Sequence, residues 1–315
     1  MTDGHNHTNK GLLLALVVLG LLGFVLPGWA AFLGIVALSK GLVVLGLLLL
    51  WRLGLVSFGQ ALYFGIGGYT VGLAGLWWGL HDALALTALG TLAATAIAAL
   101  LGLLIARYRE IFFAMLSLAF SMILYGLLVK SDLLGSSDGF GVPPVSFAGM
   151  ALSPAHGTLA LYALAAVVAC GAALLVHRLL RATLGHLAGA VRDSELRVEY
   201  LGVSVFQVIY AQYVAAGALA GAGGAITAMA VGHVDPALVY WTVSGEFVFI
   251  TILAGTGHVA APFLGALLFE VVRSFAMQYA PFTWQLILGV VLLLLILFLP
   301  NGLWSLARRW RGGEA

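Results

Sequence analysis

Residues 31–51 read AFLGIVALSKGLVVLGLLLLW, with one charged side chain, Lys40, near the centre. A helix needs ~20 predominantly apolar residues to cross the hydrocarbon core of a bilayer. The stretch has no period-2 alternation, which separates it from a barrel strand, and a helix satisfies its own backbone polar groups in hydrocarbon. It therefore reads as a spanning helix. Runs of the same kind recur at Gly11–Leu26, Ser57–Leu80, Ala83–Ala106, Ile111–Val129, Leu159–Val176 and Phe206–Val231. Shorter apolar stretches follow at Glu246–Ala254, Phe263–Met277 and Trp284–Leu299. The pattern predicts an all-α polytopic membrane protein of eight to ten helices with a broken or re-entrant region in its last third.

The whole chain agrees with that reading. Of 315 residues, 63% are hydrophobic and 8% charged, with 41 Gly and a formal net charge of +2. Water-soluble domains carry roughly 25% charged residues and about 7% Gly, so a soluble fold is excluded. The basic residues are too few and too scattered for nucleic-acid binding. Cys170 is the one cysteine, so no internal disulfide and no cysteine-based metal or redox site is expected.

Lys and Arg favour the cytoplasmic side of short loops. With the N-terminus inside and the side alternating at each span, Lys10, Arg52, Arg107, Arg109, Arg178, Arg181, Arg192, Arg197, Arg308, Arg309 and Arg311 all fall in the cytoplasm. That placement predicts both termini inside: a short tail at 1–10, a membrane domain at 11–304 and a basic tail at 305–315. A periplasmic loop is expected at 130–157, turn-rich around Ser136–Gly141 and Pro143-Pro144. It is either a connector or a cap that meets an external partner or covers a cavity. A cytoplasmic segment at 177–205 carries Leu184, Leu187, Ala188, Val191, Val198 and Leu201 at near-helical spacing, with Arg192, Asp193, Glu195, Arg197 and Glu199 between them. This predicts a short amphipathic helix or helix pair. Its mixed charges favour a protein surface over the anionic headgroups of membrane lipid.

No catalytic signature is present: no phosphate-binding G-x-x-x-x-G-K-[ST], no H-E-x-x-H and no G-x-S-x-G. The chain is not expected to be an enzyme. Polar groups inside spans become the functional candidates, because they are costly in lipid. These are Lys40, Ser57, Gln60, Thr70, Gln207, Gln212, Glu246, Thr251, Glu270 and Arg273. Glu246 reads either as a helix-start cap or as a pathway residue, while Glu270 and Arg273, three apart, read as a pair on one helix face. Glycine crowds two spans, at Gly65, Gly67, Gly68, Gly72 and Gly75 and at Gly217, Gly221, Gly223 and Gly224, as close-packing faces do. Gly255-Thr256-Gly257-His258 interrupts a further span, as broken helices that line a cavity do.

Several of these stretches resemble a known family in their order along the chain. Leu55–Thr70 (LVSFGQALYFGIGGYT), Arg109–Phe120 (REIFFAMLSLAF), Ser137-Asp138-Gly139 and Arg192-Asp193-Ser194-Glu195 with Leu201-Gly202-Val203 come first. Ala220–Gly224, Leu253–Gly257 and Phe298–Leu303 follow. Together they are similar to permeases of branched-chain amino acid ABC transporters, most of all to the M-type subunit. Gln60 stands where many relatives carry His, and Ser194 where Asn is common. The resemblance implies a multi-pass subunit of a bacterial inner-membrane importer. Its partners would be a homologous H-type permease, two ATP-binding cassette ATPase subunits and a periplasmic substrate-binding protein. ATP and Mg would be bound by the ATPase subunits, leaving no cofactor in this chain. Ser57, Gln60, Phe64, Gly255 and Gly257 would lie along the translocation pathway, and Arg192, Asp193, Glu195, Arg197 and Glu199 in the helix that couples to the ATPase. Leucine, isoleucine and valine are the implied substrates. Urea, short amides or other small amino acids are the alternatives within the family, and a stand-alone channel or secondary transporter is the alternative outside it.

Overall fold

Helix α1 (Gly28–Arg52) begins directly after Pro27, which has an extended backbone, and takes in the whole Lys40-bearing stretch. In this computed structural model residues 27–147, 149–150, 153–298 and 302–305 are described. After α1 come α2 (Gln60–Trp78), α3 (Ala83–Ile105), α4 (Glu110–Lys130), α5 (Pro154–Arg181), α6 (Thr183–Asp193), α7 (Glu195–Tyr200), α8 (Val205–Val231), α9 (Trp241–Ala254), α10 (Ala261–Tyr279) and α11 (Trp284–Phe298). The strands β1 (Phe140–Gly141) and β2 (His233–Val234) form one antiparallel pair, Phe140 opposite Val234. The predicted spans agree with these helices to within a few residues at most ends. The first expected span, Gly11–Leu26, the tail at 1–10 and residues 306–315 lie outside the described residues.

Among the described residues α1, α3, α4, α5 and α8 are long and apolar enough to cross a membrane. The chain is an all-α polytopic membrane protein. Helix α8 is its axis, with α1, α2 and α3 packed around it. In lipid, helices associate by close packing rather than by expulsion from water, which favours small residues at contacts. The glycine clusters serve that purpose. A Cβ on Gly67 would strike the Gly221 carbonyl, and one on Gly224 would run into the Phe64 carbonyl, so α2 and α8 meet backbone to backbone. Helices α3 and α4 turn large apolar side chains outward, among them Leu92, Leu100, Phe112 and Ile123.

The 130–157 loop caps one end of the bundle. Phe140 packs edge-on against Tyr69, with ring centroids 5.6 Å apart. Ser146 exchanges backbone hydrogen bonds with the α2–α3 turn, donating to His81 O (2.7 Å) and accepting from Ala83 N (2.9 Å).

The 177–205 segment forms the helix pair α6 and α7, and one expectation changes there. Val198 is buried as predicted, but Leu201 is 79% exposed. Ser194 is extended between the two helices, with φ −168°, and α7 ends at Tyr200, so Leu201 lies just beyond the helix as its C-cap. Leu196 and Tyr200, four apart on the face of α7 opposite Val198, point outward, together with Leu201.

Helix α9 starts five residues before the expected stretch. Its 14 residues span ~21 Å, short of a bilayer core of ~30 Å. Val239, two residues before it, gives its carbonyl to Ser121 Oγ (2.7 Å) in the middle of α4, and Tyr240 packs on Tyr125 at 4.9 Å. At the far end Gly255 breaks the helix with φ +77° and ψ 160°, a conformation essentially restricted to glycine. The next carbonyl, of Thr256, accepts from Arg52 Nη2 (3.3 Å) at the last residue of α1. Residues 235–254 thus run from the β1–β2 pair through a 3-10 turn at Pro236–Val239 and then, as a half-length helix, to the Arg52 end.

Candidate functional site

The start of α2 and the first half of α9 meet in the interior. The α2 N-terminus has backbone N–H groups with no intrahelical acceptor, and hydroxyls from other helices take part of that role. Ala61 N donates to Ser244 Oγ of α9 (3.0 Å), and in the preceding turn Phe58 N donates to Ser117 Oγ of α4 (3.2 Å). Ser57 is fully buried and its Oγ accepts from Gly59 N (3.2 Å). Phe64 packs edge-on against Phe247 with centroids 5.3 Å apart. Gln60 is fully buried, and both ends of its amide lack a hydrogen-bond partner among the described residues. Buried amides are ordinarily satisfied, so Gln60 stands out among the polar groups at the start of α2.

Ser57, Gln60 and Phe64 thus cluster at the start of α2, where Ala61 and Phe64 meet α9 at Ser244 and Phe247. Gly255 and Gly257 do not join them. They follow the other end of α9, where Gly255 lies ~12 Å along the helix from Phe247. There the backbone of Gly302 lies against Gly255, and the His258 ring stacks on Trp304 at 4.4 Å.

The intramembrane charges form a group that the chain order conceals. Glu246 is the sixth residue of α9, not its cap, and its carboxylate contacts Lys40 of α1 and, at 3.3 Å, Arg273 Nη1 of α10. Lys40 also contacts Glu270. The expected Glu270–Arg273 pair is present at 3.7 Å but is one side of a four-membered ring of charges. Thr70 and Thr251 donate their hydroxyls to the carbonyls four residues earlier, a local solution for a polar group in an apolar helix.

On the helix pair, Arg192, Asp193, Arg197 and Glu199 are exposed. Glu195 is not free: it pairs with Arg109 Nε at 2.6 Å, and Arg109, at the start of α4, also donates to the Ala106 and Tyr108 carbonyls. The stem of Arg192 lies over Gly54, in the turn that leads to Ser57. Both attachments tie the helix pair to segments that support the α2–α9 contact. Sequence reasoning did not single out Ser117, although it lies in the family-like stretch Arg109–Phe120, or Ser244, a lone serine in an apolar run with no distinctive signal.

The family model described as the branched-chain amino acid transport system permease component matches residues 30–297. The chain belongs to this family. The permease is 26% identical over 264 residues to the high-affinity branched-chain amino acid transport system permease protein LivM of Escherichia coli (strain K12), covering 77% of this chain and 62% of that protein. It is 26% identical over 274 residues to the protein of the same name from Salmonella typhimurium (strain LT2), covering 79% of this chain and 64% of that one. The matched region thus spans somewhat under two thirds of those relatives' length. No solved structure matches. The family and the apolar helices make this a multi-pass inner-membrane permease.

Proposed function

We propose that this permease is the M-type membrane subunit of an ATP-binding-cassette importer for branched-chain or related small amino acids. A homologous H-type permease, two ATPase subunits and a periplasmic binding protein complete the assembly. The observation that carries the reading is the helix pair α6–α7. It presents Leu196, Tyr200 and Leu201 outward, beside exposed Arg192, Asp193, Arg197 and Glu199, while Glu195–Arg109 fastens it to the start of α4 and the Arg192 stem lies beside Gly54 in the α1–α2 turn. An apolar patch rimmed by mixed charge suits a protein groove. A stand-alone channel or secondary transporter has no use for such an element.

In this reading ATP closes the ATPase dimer, the helix pair follows, and the motion reaches Ser57, Gln60 and Phe64 through the Gly54 turn and the start of α4. Those three side chains then lie along the translocation pathway, and the Gly255–Gly257 break gives α9 a pivot at its far end. Both termini are placed in the cytoplasm and the 130–157 loop in the periplasm, toward the binding protein. Substrate choice belongs to the binding protein, since the pathway offers few polar groups.

The test is uptake of radiolabelled leucine into cells expressing the full set of subunits, with and without the ATPase subunits. Accumulation that requires them supports the reading. Accumulation that persists without them overturns it. Competition by unlabelled valine, urea and acetamide ranks the substrate classes.

A further inference from the structure

We infer that Lys40, Glu246, Glu270 and Arg273 set the register of the half-length helix α9, and so position Ser244 and Phe247 against the start of α2. The inference rests on the proposed importer reading only in taking that contact as part of the pathway. Helix α9 needs such a pin. It has no side-chain cap at Tyr240, it ends at a glycine break, and Glu246 is its one charge, so between the contacts at Val239 and Thr256 an apolar surround leaves Glu246 as the group that fixes its height and rotation. Its neighbours supply the missing reference points: Lys40 from α1, and Glu270 and Arg273 from α10. The four charges alternate around the ring and sum to zero. Their side chains are 7%, 16%, 11% and 29% exposed for Lys40, Glu246, Glu270 and Arg273.

Burying such a network costs desolvation, and well-packed apolar residues often serve stability as well or better. What charges add is direction, because each finds its partner at one height and one rotation. Glu246 sits two residues after Ser244 and immediately before Phe247, so fixing its carboxylate fixes both. A slip of one helical turn moves Ser244 ~5.4 Å and takes its hydroxyl out of reach of Ala61 N. Phe269 and Trp284 back the two cations, at 5.7 Å from Lys40 Nζ and 5.4 Å from Arg273 Cζ, which holds the ring in place from the α10–α11 side.

The test reads register directly. In the assembled transporter, with Cys170→Ser as background, Ser244→Cys places a fully buried thiol at the contact. Lys40→Met with Glu246→Gln removes the link from α9 while leaving the neutral pair Glu270–Arg273. Glu246→Gln with Arg273→Gln does the same while leaving Lys40–Glu270, and serves if the first variant does not accumulate in the membrane. The expected result is slow reaction with N-ethylmaleimide in the parent and in Lys40→Arg. The reaction should be at least fivefold faster in either neutral double variant, with energised leucine uptake reduced at least tenfold. Maleimide rates equal to the parent in the double variants overturn the inference, whatever the uptake. Failure of the importer reading shows separately, as ATPase-independent uptake by the unaltered transporter.

Discussion

Ser244 Oγ of α9 accepts the Ala61 backbone N–H at 3.0 Å, so a half-length helix satisfies a backbone donor at the start of α2. Removing the hydroxyl strands a buried N–H. Ser244→Ala is therefore expected to destabilise the protein by about 1–3 kcal/mol, the usual cost of an unsatisfied buried donor. Ser244→Thr keeps the acceptor and should lose less. Thermal unfolding of the purified complex in detergent reads the difference. Equal midpoints for Ser244→Ala and the parent would contradict the assignment.

The α2–α8 crossing leaves no room for a methyl group at Gly224, where the Phe64 carbonyl occupies the space. Gly224→Ala should force the two backbones apart at a cost of about 1–3 kcal/mol, as overpacking of a filled interior does. Gly126→Ala, at a site with no atom nearby, should be neutral or slightly stabilising in its helix. Folded yield in membranes is the measurement, and a neutral Gly224→Ala would refute the close approach.

At Gly255 the conformation itself is the constraint. With φ +77° and ψ 160°, Gly255→Ala should cost about 1–3 kcal/mol of strain. The Gly302 backbone, packed against it, should loosen in consequence. Limited proteolysis of the segment after α11 tests this: faster cleavage than in the parent is expected, and an unchanged rate would argue against it.

Glu195–Arg109 is partly solvated, with side chains 40% and 28% exposed. Such pairs contribute ~0.2–1 kcal/mol, so a double-mutant cycle on Glu195→Ala and Arg109→Ala should return a coupling energy in that range. Arg109→Ala alone should cost more than Glu195→Ala alone, because Arg109 also holds the Ala106 and Tyr108 carbonyls. The reverse order would mean that those backbone contacts carry little.

The long helices were legible because each is a continuous apolar run, and the break after Ala254 because Gly255-Thr256-Gly257 interrupts such a run with residues of low helix propensity. The start of α9 was not. Thr242, Ser244 and Glu246 lower its hydropathy, and Tyr240 gives no side-chain cap to mark the boundary. Lys40 stood out at once, but its partner Glu246 lies 206 residues away, a separation over which chain order says nothing of contact. Ser57, Gln60 and Phe64 were found by their resemblance to family motifs. Ser244, which holds the same segment, lies in none of those motifs, and Ser117 lies inside the Arg109–Phe120 stretch without standing out from it. The helical period places Leu201 beside Val198, but α7 ends at Tyr200 and Leu201 is already past the helix, an end that the period alone does not mark.

The central claim is that α6–α7 delivers the work of ATP to the pathway. Leu196→Asp with Tyr200→Asp tests it most directly, since both side chains are exposed, at 68% and 89%, and their replacement leaves the interior untouched. In proteoliposomes containing the complete transporter, with ATP on the ATPase side and leucine-loaded binding protein on the other, the parent should accumulate leucine. The double variant, incorporated to the same level, should not. Equal accumulation by the two would contradict the account.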